Sequence, residues 1–107
     1  MKNNSILLVS LLVSTFTNAA TWEAEISSIQ AEGINDPYNV IYLKTDISNS
    51  ACENSNREDR LTLVNEVQHS TALAALMANK VVKVMGTGIC NSAGLENVNF
   101  IQIYSHK

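Results

Sequence analysis

Proline occurs once (Pro37), glycine four times and histidine and cysteine twice each, and seven Lys and Arg are scattered against ten Asp and Glu in 107 residues. Each scarcity removes a class of function. No basic stripe exists, and "REDR" at 57–60 is the densest charge cluster. Neutralising phosphates needs clustered Lys and Arg, so a nucleic-acid partner is disfavoured. Docking on an anionic membrane surface is disfavoured for the same reason. Partners are expected to be neutral or modestly charged, such as sugars or other proteins.

The few histidines and cysteines also limit chemistry. A nucleophilic Cys90 needs a base, yet His69 lies near the start of an expected helix and His106 is one residue from the end of the chain. Two cysteines 38 positions apart with two distant histidines do not match structural zinc spacing. "CENSNRED" holds Glu53, Glu58 and Asp59 but lacks the alternate-position oxygen ligands and central glycine of a calcium loop. The glycine pair of "GTGICNSAG" (86–94) fails as a nucleotide site. A dinucleotide fingerprint needs a third glycine where Asn91 stands, a P-loop needs Gly-Lys-Ser/Thr, and no helix follows to hold phosphate. The expectation is a non-catalytic protein with no cofactor and no metal, in which Gly86 and Gly88 serve backbone geometry at the exit of a strand.

What is present points to export. "MKNNSILLVSLLVSTFTNAA" has one lysine near its start, an apolar stretch from Ile6 to about Phe16 and small residues at its end. This is the pattern of a secretory signal peptide, too short for a membrane span of roughly 20 apolar residues. Residues 1–20 are therefore expected to be cleaved, leaving one soluble domain over 21–107, secreted or periplasmic, with no membrane span and a net charge of about −4. A domain of this size buries only about 60–65 % of its unfolded surface. In an oxidising compartment Cys52 and Cys90 are the one intramolecular pair available, and a bridge between them would stabilise the fold by roughly 3–4 kcal/mol.

Element signals follow in order. "TWEAEISSI" alternates Trp22, Ala24 and Ile26 against Glu23, Glu25 and Ser27, then slips phase at Ile29, which predicts a strand with a bulge. Gly33, Asn35, Asp36 and Pro37 mark a turn, and "YNVIYLKTDI" reads as a second strand. A polar loop from Ser48 to Arg60 contains Cys52, and "RLTLV" follows as a short strand. Asn65 with Gln68 three residues on signals a helix start, related to the capping box. The helix is expected over 66–78, with Leu73, Leu76 and Met77 on one stripe and alanines at 72, 74, 75 and 78 that let it sit close to a sheet. Asn79 is a left-handed stop before "KVVKVMG", and "NVNFIQIYS" ends the series with a phase shift between Phe100 and Ile101.

Three strands, a helix and two strands predict a mainly β (α+β) fold. The expected architecture is a five-stranded OB-like Greek-key barrel with one helix between strands 3 and 4. A ferredoxin-like sandwich would need a helix where Pro37 and its turn cluster lie. Trp22, Tyr38, Tyr42 and Tyr104 are the aromatic candidates for a binding surface; Trp22, Tyr38 and Tyr42 are the ligand-binding candidates, on strand ends and rims where a ring can stack on a sugar.

The succession "TW.A.I..I", "NVIYLK", "AC", "TALAALMANK", "VVKVMGTGIC" and a terminal "I.I" resembles small secreted bacterial proteins similar to the B subunits of AB5-type toxins, especially the subtilase-cytotoxin type. The likeness spans most of residues 21–107 as a pattern of elements. It implies a homo-oligomer, a ring of five with helices lining its centre, that binds cell-surface glycans and can carry an exported enzymatic subunit on one face. Two departures stand out: the amino-terminal helix of the cholera-type subunit is missing, and Cys52 lies between strands 2 and 3, where that type has no bridge partner. The alternative expectation is a monomeric exported factor that binds a protein partner, as an inhibitor or an envelope-stress protein.

Overall fold

A computed structural model describes residues 20–31, 39–52 and 59–106. The expected signal peptide, the turn cluster around Pro37 and the polar stretch 53–58 lie outside the described residues. Five strands and one helix follow in the order β1 (Thr21–Gln30), β2 (Asn39–Leu43), β3 (Arg60–Leu63), α1 (Glu66–Ala78), β4 (Val81–Cys90) and β5 (Glu96–Ile103). They close into a barrel in which β1 neighbours β2, β2 neighbours β3, β3 neighbours β5 and β5 neighbours β4.

Closure depends on the phase slip in β1. Its first half pairs with β4 from Thr21↔Met85 to Glu25↔Val81, and its second half pairs with β2 from Ile26↔Leu43 to Gln30↔Val40. The register shifts between Ile26 and Ser28, so Ser27 is the extra residue of a bulge. A bulge bends its strand and increases twist, which lets one strand serve two sheets. The same device operates in β5: Met85 faces Phe100 while Gly86 faces Val98, leaving Asn99 as the extra residue and turning Ile101 and Ile103 back toward the core. The barrel closes on a single parallel pair, Thr62↔Asn97.

β2 is shorter than its β-rich sequence predicts. After Leu43 the chain leaves the sheet, because Asp46 Oδ1 accepts the amide of Ser48 and Ile47 O accepts that of Ser50. Short side-chain-to-backbone bonds of this kind offer the chain an alternative to a ladder. Ile47 instead drops into the core, fully buried beside Leu43 and Leu61.

α1 begins and ends on its asparagines. Asn65 Oδ1 accepts from the Gln68 amide at 2.8 Å, while Gln68 Oε1 reaches back to the Val64 amide at 2.9 Å, one residue earlier than in a standard capping box. Asn79 is left-handed (φ 54°), with its amide donating to Leu76 O and that of Lys80 to Ala75 O, a Schellman closure. The helix packs on β1 and β5 through Gln68, Ala72 and Ala75. Gln68 Nε2 also donates to Val98 O and Asn99 O of β5. The expected stripe of Leu73, Leu76 and Met77 divides: Leu76 packs against the core, while Leu73 and Met77 point into solvent.

Candidate functional site

One end of the barrel is bolted together by three links to the segment 47–52. Trp22 is a core residue, 6 % exposed, and its indole N–H donates to Asn49 Oδ1 at 2.7 Å. The Cys52–Cys90 disulfide ties the segment to the end of β4, with Cα atoms 5.7 Å apart. The third link is Glu96, which the sequence reading did not single out. Its carboxylate is wholly buried, a position charged groups occupy only when well hydrogen-bonded. Oε1 accepts from the Ser50 hydroxyl and the Ala51 amide (3.1 Å), and Oε2 accepts from the Gly88 amide (2.8 Å).

All three donors are neutral, and each lies within two residues of Cys52 or Cys90. The disulfide thus holds the cradle in which the carboxylate sits. "GTGICNSAG" serves that cradle. Gly86 faces Glu96 so closely that an added Cβ would overlap its carboxylate, and Gly88 adopts φ 82° to aim its amide inward. β4 continues through both glycines to Cys90, so they lie within the strand rather than after it. A signal for Glu96 existed: it shares the inward phase of Val98.

A different polar group occupies the outer wall formed by β2, β3 and β5. Leu61, Leu63, Ile41, Leu43 and Val98 belong to the central core, so strand alternation turns Arg60, Thr62, Val40, Tyr42 and Asn97 outward. Tyr42 pairs with Arg60, Val40 with Thr62, and Thr62 with Asn97, which makes these residues one patch. Tyr42 is half-buried, and its hydroxyl donates to Gln30 Oε1 at 2.7 Å, fixing the ring on the surface. Although it points away from the core, Thr62 is fully buried, and its Oγ1 accepts from Asn91 Nδ2 at 2.9 Å.

Asn91 also organises the β4–β5 turn over this wall, its Oδ1 accepting the amides of Ala93 and Leu95. Gly94 supplies the turn's left-handed residue at φ 84°. Arg60 Nε and Asn97 Oδ1 are buried with no hydrogen-bond partner among the described residues. The aromatic candidates therefore separate: Trp22 is inside, Tyr42 is on this outer wall, and Tyr38 lies outside the described residues. Tyr104 is half-buried and donates to Glu23 Oε2 at 3.0 Å across the β1–β4 face.

The outward face of α1 is a third surface. Val67 and Met77 are each 75 % exposed and Leu73 45 %, joined on that face by Ala74 and Ala78. The helix has one acid, Glu66, and one histidine, His69, whose Nδ1 lies 3.0 Å from Asn39 Nδ2. Among the described residues no group of His, Cys, Asp and Glu is placed to hold a metal ion, and no helix is long and apolar enough to cross a membrane. No family model, curated protein or solved structure matches the chain.

Proposed function

We propose that this chain is an exported, non-catalytic binding module of the OB type, which assembles as a ring-shaped homo-oligomer and binds cell-surface glycans in the manner of a toxin B subunit. A closed barrel of five strands with the helix between β3 and β4 supports that type. Barrels of that type present the outer face of strands 2 and 3, flanked by the first and last hairpin loops, to saccharides and oligonucleotides. The acidic balance of the chain favours saccharides over nucleic acid. The disulfide fits an oxidising compartment outside the cytoplasm, secreted or periplasmic.

The observation that carries the assembly is α1, apolar on both of its faces. Its alanine face is buried on the barrel, while Val67, Leu73 and Met77 stand in water. Exposed contiguous apolar surface of this kind marks an interaction site, and cyclic rings of identical subunits are a common way to cover it. An exported enzymatic chain docked on one face of the ring is the further partner this reading implies.

The same helix face favours a second reading, a monomer that buries Val67 and Met77 against a different exported protein. A glycan array probed with the purified protein separates the two. Binding to a defined set of glycans supports the first reading, and an array without hits leaves the protein-binding factor ahead.

A further inference from the structure

Arg60 Nε and Asn97 Oδ1 are the two buried polar side-chain atoms left without partners among the described residues. Leaving a donor or acceptor orphaned costs about 1–3 kcal/mol, so native proteins keep few of them. These two are neighbours on one face. Asn97 pairs with Thr62, and Arg60 stands two residues before Thr62 on the same side of β3. Thr62 itself is fully buried between them, its Oγ1 accepting from Asn91.

The hydrogen-bonding character of the two orphaned atoms selects a ligand. Arg60 Nε can only donate and Asn97 Oδ1 can only accept, whereas a hydroxyl does both. A pair of adjacent hydroxyls answers both atoms at once, one accepting from Arg60 and the other donating to Asn97. A carboxylate or phosphate would satisfy Arg60 while setting its lone pairs against Asn97 Oδ1. An apolar group would leave both atoms orphaned. The half-buried ring of Tyr42, paired with Arg60 and pinned through Gln30, supplies apolar surface beside the polar pair.

We propose that Arg60 and Asn97, on either side of the buried Thr62, form a subsite for the vicinal diol of a neutral sugar, with Tyr42 as its apolar wall. This rests on the glycan-binding reading and gives it an address. Arg60 and Asn97 are each half-buried overall, and the subsite requires their buried Nε and Oδ1 to turn outward onto the ligand.

The test is a titration of the isotope-labelled protein with methyl α-mannopyranoside and methyl β-galactopyranoside, each carrying a cis vicinal diol, with sodium acetate and inorganic phosphate as anion arms. The expected result is a saturable shift of the Arg60 Nε–H and Asn97 side-chain amide signals by at least one of the sugars and by neither anion. Arg60→Lys, which keeps the charge and loses the Nε donor, and Asn97→Leu each weaken binding about tenfold or more, with the remaining backbone spectrum unchanged. Absence of saturation by either sugar into the tens of millimolar overturns the subsite, as does full affinity in both variants or saturation by acetate in place of the sugars. Measuring the assembly state of the same samples keeps the two ideas separate. A monomer that binds the sugars sinks the ring and keeps the subsite, and a ring that ignores them does the reverse.

Discussion

Glu96 shows how one residue can set the tolerance of its neighbours. A carboxylate offers acceptors on both oxygens, and here both are used by donors on opposite sides of the cradle. Glu96→Gln must turn an amide NH2 toward one of them, so it is expected to cost about 1–3 kcal/mol despite matching shape. Gly86→Ala places a methyl where the carboxylate lies and is expected to cost about 2 kcal/mol, a fall of roughly 10 °C in Tm for a domain of this size. Thermal unfolding of the two variants and the double variant checks both. Because the two residues touch, their effects should be non-additive, and simple addition would contradict the cradle. Glu96 was hard to read from sequence because a lone glutamate in a strand usually faces water; only its phase with Val98 hinted otherwise. Arg60 and Asn97 gave no signal at all, since half-exposed polar residues do not reveal whether their atoms find partners.

At the scale of the element, α1 was legible in its bounds and not in its orientation. Asn65, Gln68 and Asn79 set both ends by local hydrogen bonds that depend on few residues. Asn79→Ala is expected to destabilise by about 1 kcal/mol, since alanine resists the left-handed conformation, while Asn79→Gly is expected to be neutral or stabilising. Denaturant titration of the two variants measures this. Which face turns inward could not be read from hydrophobicity, because both faces are apolar; side-chain size decided it, small alanines allowing close approach to β1 and β5. The bulges at Ser27 and Asn99 were foreshadowed by the phase slips in "TWEAEISSI" and "NVNFIQIYS". The early end of β2 was hidden because Asp46 acts through a turn bond that competes with β propensity.

The disulfide belongs to the same scale, since it joins two segments rather than two residues. Reduction by a dithiol is expected to lower stability by roughly 3–4 kcal/mol. In hydrogen exchange the Ala51 and Gly88 amides should lose protection first, while Val82 and Val84 in the barrel wall keep theirs. Equal loss at all four sites would mean that the bridge supports the whole barrel rather than the cradle. The exposed Lys44–Glu25 pair at 3.0 Å is expected to add little, as surface pairs do.

At the scale of the whole molecule, two surfaces among the described residues carry the account: the outer wall of β2, β3 and β5, and the outward face of α1. The first supplies hydrogen-bonding capacity and the second apolar area, which suits a module that binds with one surface and assembles with the other. Pairing Val67→Glu with Met77→Lys sets a charge at each end of the apolar face without touching Ala72 or Ala75, so the barrel should keep its thermal stability while self-association is lost. The most direct measurement is the solution mass of the purified protein at micromolar concentration by light scattering, for the parent chain and this double variant. The account predicts a closed ring of five chains for the parent and a folded monomer for the variant; a parent that is strictly monomeric would contradict it.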